Sequence, residues 1–169
     1  MHTTLARRGL RSALVALSAA AVLTGTAASA EAAPAKYRTH AEAAAQLKKA
    51  GITTSSSGGC TSRRKSNCTS LEQINKATVA GVVAFKRAGG CAVRVTGGTE
   101  VGHASGTYSH SNGYKVDIAL NSCVNTYISK RFRYLGKRGD GALQYRSPGG
   151  NTYAREGNHW DITYYHGRV

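Results

Sequence analysis

Four cysteines, Cys60, Cys68, Cys91 and Cys123, constrain this chain more than any other feature, because the residues ahead of them read as an export signal. Arg7, Arg8 and Arg11 form a positive start, Ser12–Leu23 is an apolar run rich in Ala, Leu and Val, and Ala28-Ser29-Ala30 offers small residues for cleavage. Residues 1–30 are therefore expected to be a secretory signal peptide, cut after Ala30. A membrane anchor would need roughly 20 uninterrupted apolar residues, and Thr24, Gly25 and Thr26 break the run. The Arg7-Arg8 pair leaves both general and twin-arginine export open. Outside the cell an even number of cysteines reads as disulfides. The expected pairs are Cys60–Cys68, closing a short polar loop, and Cys91–Cys123, whose members flank two candidate strands that could be sheet neighbours. A structural zinc site built from these thiols does not suit spacings of x7, x22 and x31, which contain no CxxC pair.

Removing thirty of 169 residues leaves about 139, one domain with room for a hydrophobic core. Residues 31–68 are expected to supply an amino-terminal helix and a disulfide-stapled basic loop, packed in the same domain as a core over 69–169. Thr39-His40-Ala41-Glu42 matches a capping box and opens an Ala-rich helix that Gly51 ends. Residues 52–69, rich in Ser, Thr and Gly, read as surface loop. Thr69-Ser70-Leu71-Glu72 matches a second capping box, and Leu71, Ile74, Thr78, Val82 and Phe85 recur at helical steps up to Gly89-Gly90. Cys91–Thr96 and Lys115–Leu120 alternate as strands do, on either side of a glycine-rich loop from Gly97 to Gly113. Val124, Tyr127, Ile128, Phe132 and Leu135 predict a third helix ending at Gly136. Leu143–Arg155 reads as a hairpin around Pro148-Gly149-Gly150, and His159–Tyr165 as a last strand. The expected class is α+β: a small, largely antiparallel sheet flanked by about three helices.

The exported part keeps 20 of the 23 basic residues and all 8 acidic ones, a balance of +12 that suits an anionic partner such as nucleic acid, anionic lipid or the bacterial wall. Positive charge that serves only solubility is the plain alternative. Arg63-Arg64-Lys65 and nine tyrosines are the sole hint of nucleic-acid binding; no recognised motif accompanies them, and no nucleic-acid partner is expected.

Val116, Ile118 and Leu120 face a core, so Asp117 points away from it, and an acid on a strand there needs a reason. Catalytic zinc takes three ligands from His, Asp and Glu and leaves one position to water, with a nearby carboxylate as base. Two segments offer such residues: His110 and Asp117, with Gly113 between them to let the chain turn back, and Glu156 and His159. Either spacing alone occurs often by chance, with a surface histidine, a salt-bridged aspartate or a turn glutamate as the ordinary explanation.

The segment VTGGTEVGHASGTYSHSNGYKVDI, residues 95–118, resembles the zinc-site region shared by bacterial zinc D-Ala-D-Ala peptidases and the amino-terminal signalling domain of hedgehog proteins, whose pattern is His-x-x-Gly-x-Ala-x-Asp. Downstream, EGNHWD resembles the Glu-x-x-His segment of the peptidases, and the resemblance spans roughly residues 69–165. It implies one zinc ion per chain held by His110, Asp117 and His159, with Glu156 as the catalytic base, in a hedgehog/D-Ala-D-Ala peptidase-like fold. His103, in the same loop, is a candidate for contacting the oxyanion, a solvent-facing histidine being its bland alternative. Asp161 shares a strand face with His159 and suits an orienting role behind the ligands. The sequence departs from the family pattern at Lys115, at Tyr108, and at TGGTE, where the peptidases carry a Ser-Gly-Tyr-Arg stretch whose arginine holds substrate. Glu100 stands there, which leaves Arg94, Lys115 or Arg155 to hold substrate.

The function expected from these features is a secreted, monomeric zinc peptidase that hydrolyses peptide bonds in peptidoglycan stem peptides, as a D-Ala-D-Ala carboxypeptidase or a wall endopeptidase. It would act outside the cell in contact with the anionic wall, with no stable insertion in a membrane. The alternative is a secreted zinc-containing binding protein of the same fold without turnover.

Overall fold

The computed structural model describes Met1 and residues 33–168, so the expected signal segment lies outside the described residues. Thr39 caps α1 (His40–Lys49), accepting from the Glu42 amide while the Glu42 side chain returns to the Thr39 amide. The chain then forms β1 (Thr53–Thr54), α2 (Lys76–Gly89), β2 (Arg94–Gly97), β3 (Lys115–Ala119), α3 (Ser122–Arg131), β4 (Arg133–Lys137), β5 (Leu143–Arg146), β6 (Thr152–Glu156) and β7 (His159–Thr163). Seven strands make one open sheet in the order β1-β2-β3-β7-β6-β5-β4, antiparallel except for the β1–β2 pair. This is the expected α+β class, with three helices and more strands than the alternation revealed.

Two helix boundaries differ from expectation, each because a tertiary partner outweighs a local signal. Thr69 does not cap a helix: its Oγ1 donates to the carbonyls of Ser55 (2.8 Å) and Thr96 (2.8 Å). Gln73 adopts a left-handed φ of 62°, and α2 begins only after Asn75. The third helix stops at Arg131 rather than running through Leu135. Phe132 takes extended backbone and buries its ring beside Phe85, Tyr127 and Tyr153, which carries the next residues to the sheet edge as β4. Leu135, the last residue of the apolar pattern, is exposed, as is Tyr134 beside it. β1 was also unforeseen; two polar threonines inside a Ser/Thr-rich loop carry no alternation to read.

The core lies on one face of the sheet. Val95, Val116, Ile118, Trp160, Ile162 and Tyr153 point into it and meet Val79, Val82 and Phe85 of α2 and Val124 and Ile128 of α3. Leu47 and Ile52 complete it from the amino-terminal side. Both disulfides form as expected: Cys60–Cys68 closes the polar loop, and Cys91–Cys123 ties the start of the β2 segment to α3, directly after β3, the sheet neighbour of β2. Among the described residues no helix is long and apolar enough to cross a membrane. The other face of the sheet carries polar side chains, and their registers define the site.

Candidate metal centre

Residues paired across strands share a face, so the sheet registers place side chains in rows. Asp117 on β3 stands opposite Asp161 on β7, and Asp161 opposite Ala154 on β6. One step along, Ala119, His159 and Glu156 form the adjacent row. Gly97 pairs with Asp117 on the other side, and only glycine fits: a Cβ there would sit 2.3 Å from Asp117 Oδ2. The loop between β2 and β3 returns through Gly113 (φ 82°), with the Gly113 amide bonded to the His110 carbonyl (2.8 Å) and the Tyr114 amide to the Ser109 carbonyl (3.1 Å). That turn brings the His110 imidazole back over Asp117, as the spacing led us to expect.

Three imidazoles converge on the Asp117 carboxylate. His110 Nε2 lies 3.3 Å and His159 Nε2 3.5 Å from Asp117 Oδ1, and His103 Nδ1 lies 3.9 Å from Asp117 Oδ2. The ligand atoms of His103, His110 and Asp117 all lie within 4.8 Å of one another, so these three could hold a metal ion. The rings of His103 and His110 stack, with centroids 3.8 Å apart. Each ring is oriented from behind. His110 Nδ1 donates to the Gly98 carbonyl (2.6 Å), His159 Nδ1 to Asn158 Oδ1 (2.8 Å), and His103 Nε2 to Glu100 Oε1 (3.2 Å). Such outer contacts fix which nitrogen faces the site.

Asp117 Oδ1 and Asp161 Oδ1 are buried without a hydrogen-bond partner, although histidine nitrogens approach both. Burial lowers the pKa of His110, but Asp117 and Asp161 beside it outweigh that and raise it to about 9. Burial pushes Asp161 up, but His110 and Lys115 hold it well below the usual carboxylate range. A divalent ion on this nitrogen and oxygen set would give these oxygens a partner, so the residues fit a metal ion.

Around this cluster opens a cleft of about 610 Å³, lined on one side by His103 and Ala104 and on the other by Glu156 and His159. Glu156 Oε2 lies 3.3 Å from His159 Nε2, while its Oε1 is held by Arg138. Arg138, on the turn after β4, also pairs with Asp140 and Asp161, and these carboxylates, Asp140 first, hold its guanidinium firmly charged. Lys115 lines the cleft, its Nζ 2.6 Å from Asp161 Oδ2. Of the basic residues considered for holding substrate, Arg94 and Arg155 are not among the lining residues: Arg94 is exposed on β2, and Arg155 lies over the Trp160 ring and donates to the carbonyls of Glu156 and Gly157. Arg138 lines the cleft where they do not. It escaped the sequence reading because an Arg and an Asp in a glycine-rich turn look like ordinary surface. Asp161 does not stand behind the ligands: it lines the cleft, and its Oδ1 lies 3.6 Å from His110 Nε2, the nitrogen that faces Asp117.

Glu100 is 2% exposed. Its carboxylate accepts from the amides of Ser70 (2.7 Å) and Gly98 (3.0 Å) and from His103. Burial raises its pKa, but these donors together bring it below the usual range. No protein-family model matches the chain, and no curated protein or solved structure is significantly similar to it.

Proposed function

We propose that this protein is an exported zinc peptidase that cleaves peptide bonds in peptidoglycan stem peptides, with His110, Asp117 and His159 as zinc ligands and Glu156 as the base. The observation that carries this reading is Asp117 Oδ1, buried without a hydrogen-bond partner between two imidazole nitrogens, with the Glu156 carboxylate 3.3 Å from one of them at the edge of an open cleft. Zinc bound there supplies Lewis-acid polarisation of a scissile carbonyl and lowers the pKa of water. Glu156 Oε2 faces the cleft and takes the proton of the attacking water, then returns it to the leaving amine. Arg138 grips the other oxygen of Glu156 and so fixes the direction in which the free oxygen points. The Gly98 carbonyl and Asn158 side chain hold the two ligand imidazoles in the tautomer that presents Nε2. Wall peptides as substrate follow from the export signal, the +12 balance of the exported part, and the resemblance of residues 95–118 and 156–161 to wall peptidases.

One observation favours a second reading. His103 also reaches Asp117, and four protein ligands would close the site, as structural zinc sites are closed. The protein would then bind zinc and a partner without turnover. Incubating zinc-loaded mature protein with purified peptidoglycan, with and without chelator, separates the two. New peptides that mass spectrometry finds only without chelator support the peptidase; unchanged peptidoglycan supports the closed site.

A further inference from the structure

A second cavity, of about 220 Å³, adjoins the cleft and shares Lys115, Arg138 and Asp161 with it. The sheet registers explain where it comes from. Lys115, Thr163 and Thr152 pair across β3, β7 and β6, forming a row next to that of Asp117, Asp161, Ala154 and Gln144. Ala154 lies between larger neighbours and ends at its Cβ, which leaves a depression in the sheet face. Tyr108 and Tyr165 wall it.

The lining selects for a particular chemistry. Both cations are already neutralised: Lys115 Nζ lies 2.6 Å and Arg138 Nη1 3.2 Å from the same Asp161 oxygen, and Arg138 also pairs with Glu156 and Asp140. An incoming anion would have to compete with those carboxylates. The Gln144 amide and the hydroxyls of Thr152 and Thr163 instead offer uncharged donors and acceptors. Tyr108 is 49% exposed, yet its ring is set edge-to-face against Tyr114 (centroids 5.0 Å) and Tyr165 (4.8 Å). A rigid, exposed aromatic gives contact area at little entropic cost. The volume is below the range of about 300–1,000 Å³ common for drug-sized ligands, and suits one ring.

We propose that this cavity is a carbohydrate subsite, which holds one neutral pyranose ring of the glycan strand while the attached peptide lies across the metal centre. The proposal rests on reading the cleft as a peptidoglycan peptidase site, and the test keeps the two apart. Zinc-loaded protein is assayed on a stem pentapeptide with and without its disaccharide. Separately, the neutral disaccharide diacetylchitobiose is titrated and followed by NMR. The subsite predicts a KM about tenfold lower for the sugar-bearing peptide, a gap of about 1.4 kcal/mol. Tyr108→Ala and Gln144→Ala should each narrow that gap, leave hydrolysis of the bare peptide unchanged and weaken diacetylchitobiose binding. Equal KM values together with no diacetylchitobiose binding overturn the subsite while the peptidase stands. Diacetylchitobiose binding that both variants leave intact also overturns it. Binding that Tyr108→Ala abolishes, with neither peptide hydrolysed, supports the subsite and sinks the peptidase. No binding and no hydrolysis overturns both.

Discussion

Two glutamate–histidine pairs flank Asp117, and they are built from the same residue types for different ends. Glu100 and His103 lie on the loop side, where the carboxylate is 2% exposed and filled by two backbone amides and the imidazole. Glu156 and His159 lie on the hairpin between β6 and β7, where the glutamate side chain is 29% exposed and one oxygen faces the cleft. A carboxylate filled by backbone donors can orient its neighbour but cannot accept a proton from water without giving up those bonds. A carboxylate at the cleft wall can. On the proposed reading, environment rather than residue type separates a supporting carboxylate from a reactive one, as for the paired carboxylates of known enzymes.

The strongest test of this contrast is Glu156→Gln, which keeps volume and hydrogen bonding but cannot take up the proton. Release of wall peptides should fall by about 10²–10⁴-fold while zinc content and melting temperature stay at the parent values. Undiminished release would remove the chemical role from the hairpin pair, and loss of zinc would make Glu156 a ligand.

Which imidazole completes the metal set comes next. Titration with a competing chelator should show that His159→Ala loses more than the roughly 10–100-fold of affinity typical of an outer-contact change, and that His103→Ala loses less than His159→Ala. The reverse order would move the third ligand to the loop side. A smaller effect is expected from Glu100→Gln, which disturbs His103 only through its orientation: zinc affinity should drop by about 10–100-fold or less, with the Glu156-dependent step intact. An equal loss of turnover in Glu100→Gln and Glu156→Gln would erase the difference between the pairs.

The smallest effect concerns pH. In the metal-free protein the pKa of His110 stands at about 9, above its ordinary 6.5. The stability this gives is fully present below about 6.5 and is lost as pH rises through about 9. Chelator-treated protein should therefore melt a few degrees lower above that range than below it, and a His110→Asn variant should show a flatter profile. A parent profile without this fall would mean that Asp117 and Asp161 do not hold the proton as their distances imply.

Much of the fold is local enough to be read along the chain. The Thr39–Glu42 capping box, the alternation of Lys115–Leu120 and the hairpin at Pro148-Gly149-Gly150 each depend on neighbours a few residues apart, and each forms, whereas of Cys91–Thr96 only the end from Arg94 is strand. The false capping box at Thr69 and the overlong third helix depend instead on Ser55, Thr96, Phe85 and Tyr153, which are distant in sequence. The meeting of His110 with Asp117 was legible because Gly113 folds a seven-residue step back on itself, and Glu156 with His159 because a tight hairpin joins them.

From sequence alone come the residue types able to bind a cation, the reversal at Gly113, the short-loop disulfide Cys60–Cys68 and the α+β class, since all follow from short-range geometry and composition. Tertiary structure alone decides that the two segments share one carboxylate, because only the β3–β7 register sets Asp117 beside Asp161 and Ala119 beside His159. It also decides that Glu100 is buried behind His103 and that Arg138 closes the cleft wall. Those outcomes depend on which strands become neighbours, and neighbours in a sheet are selected by burial of the opposite, apolar face, about which a polar side chain carries no information.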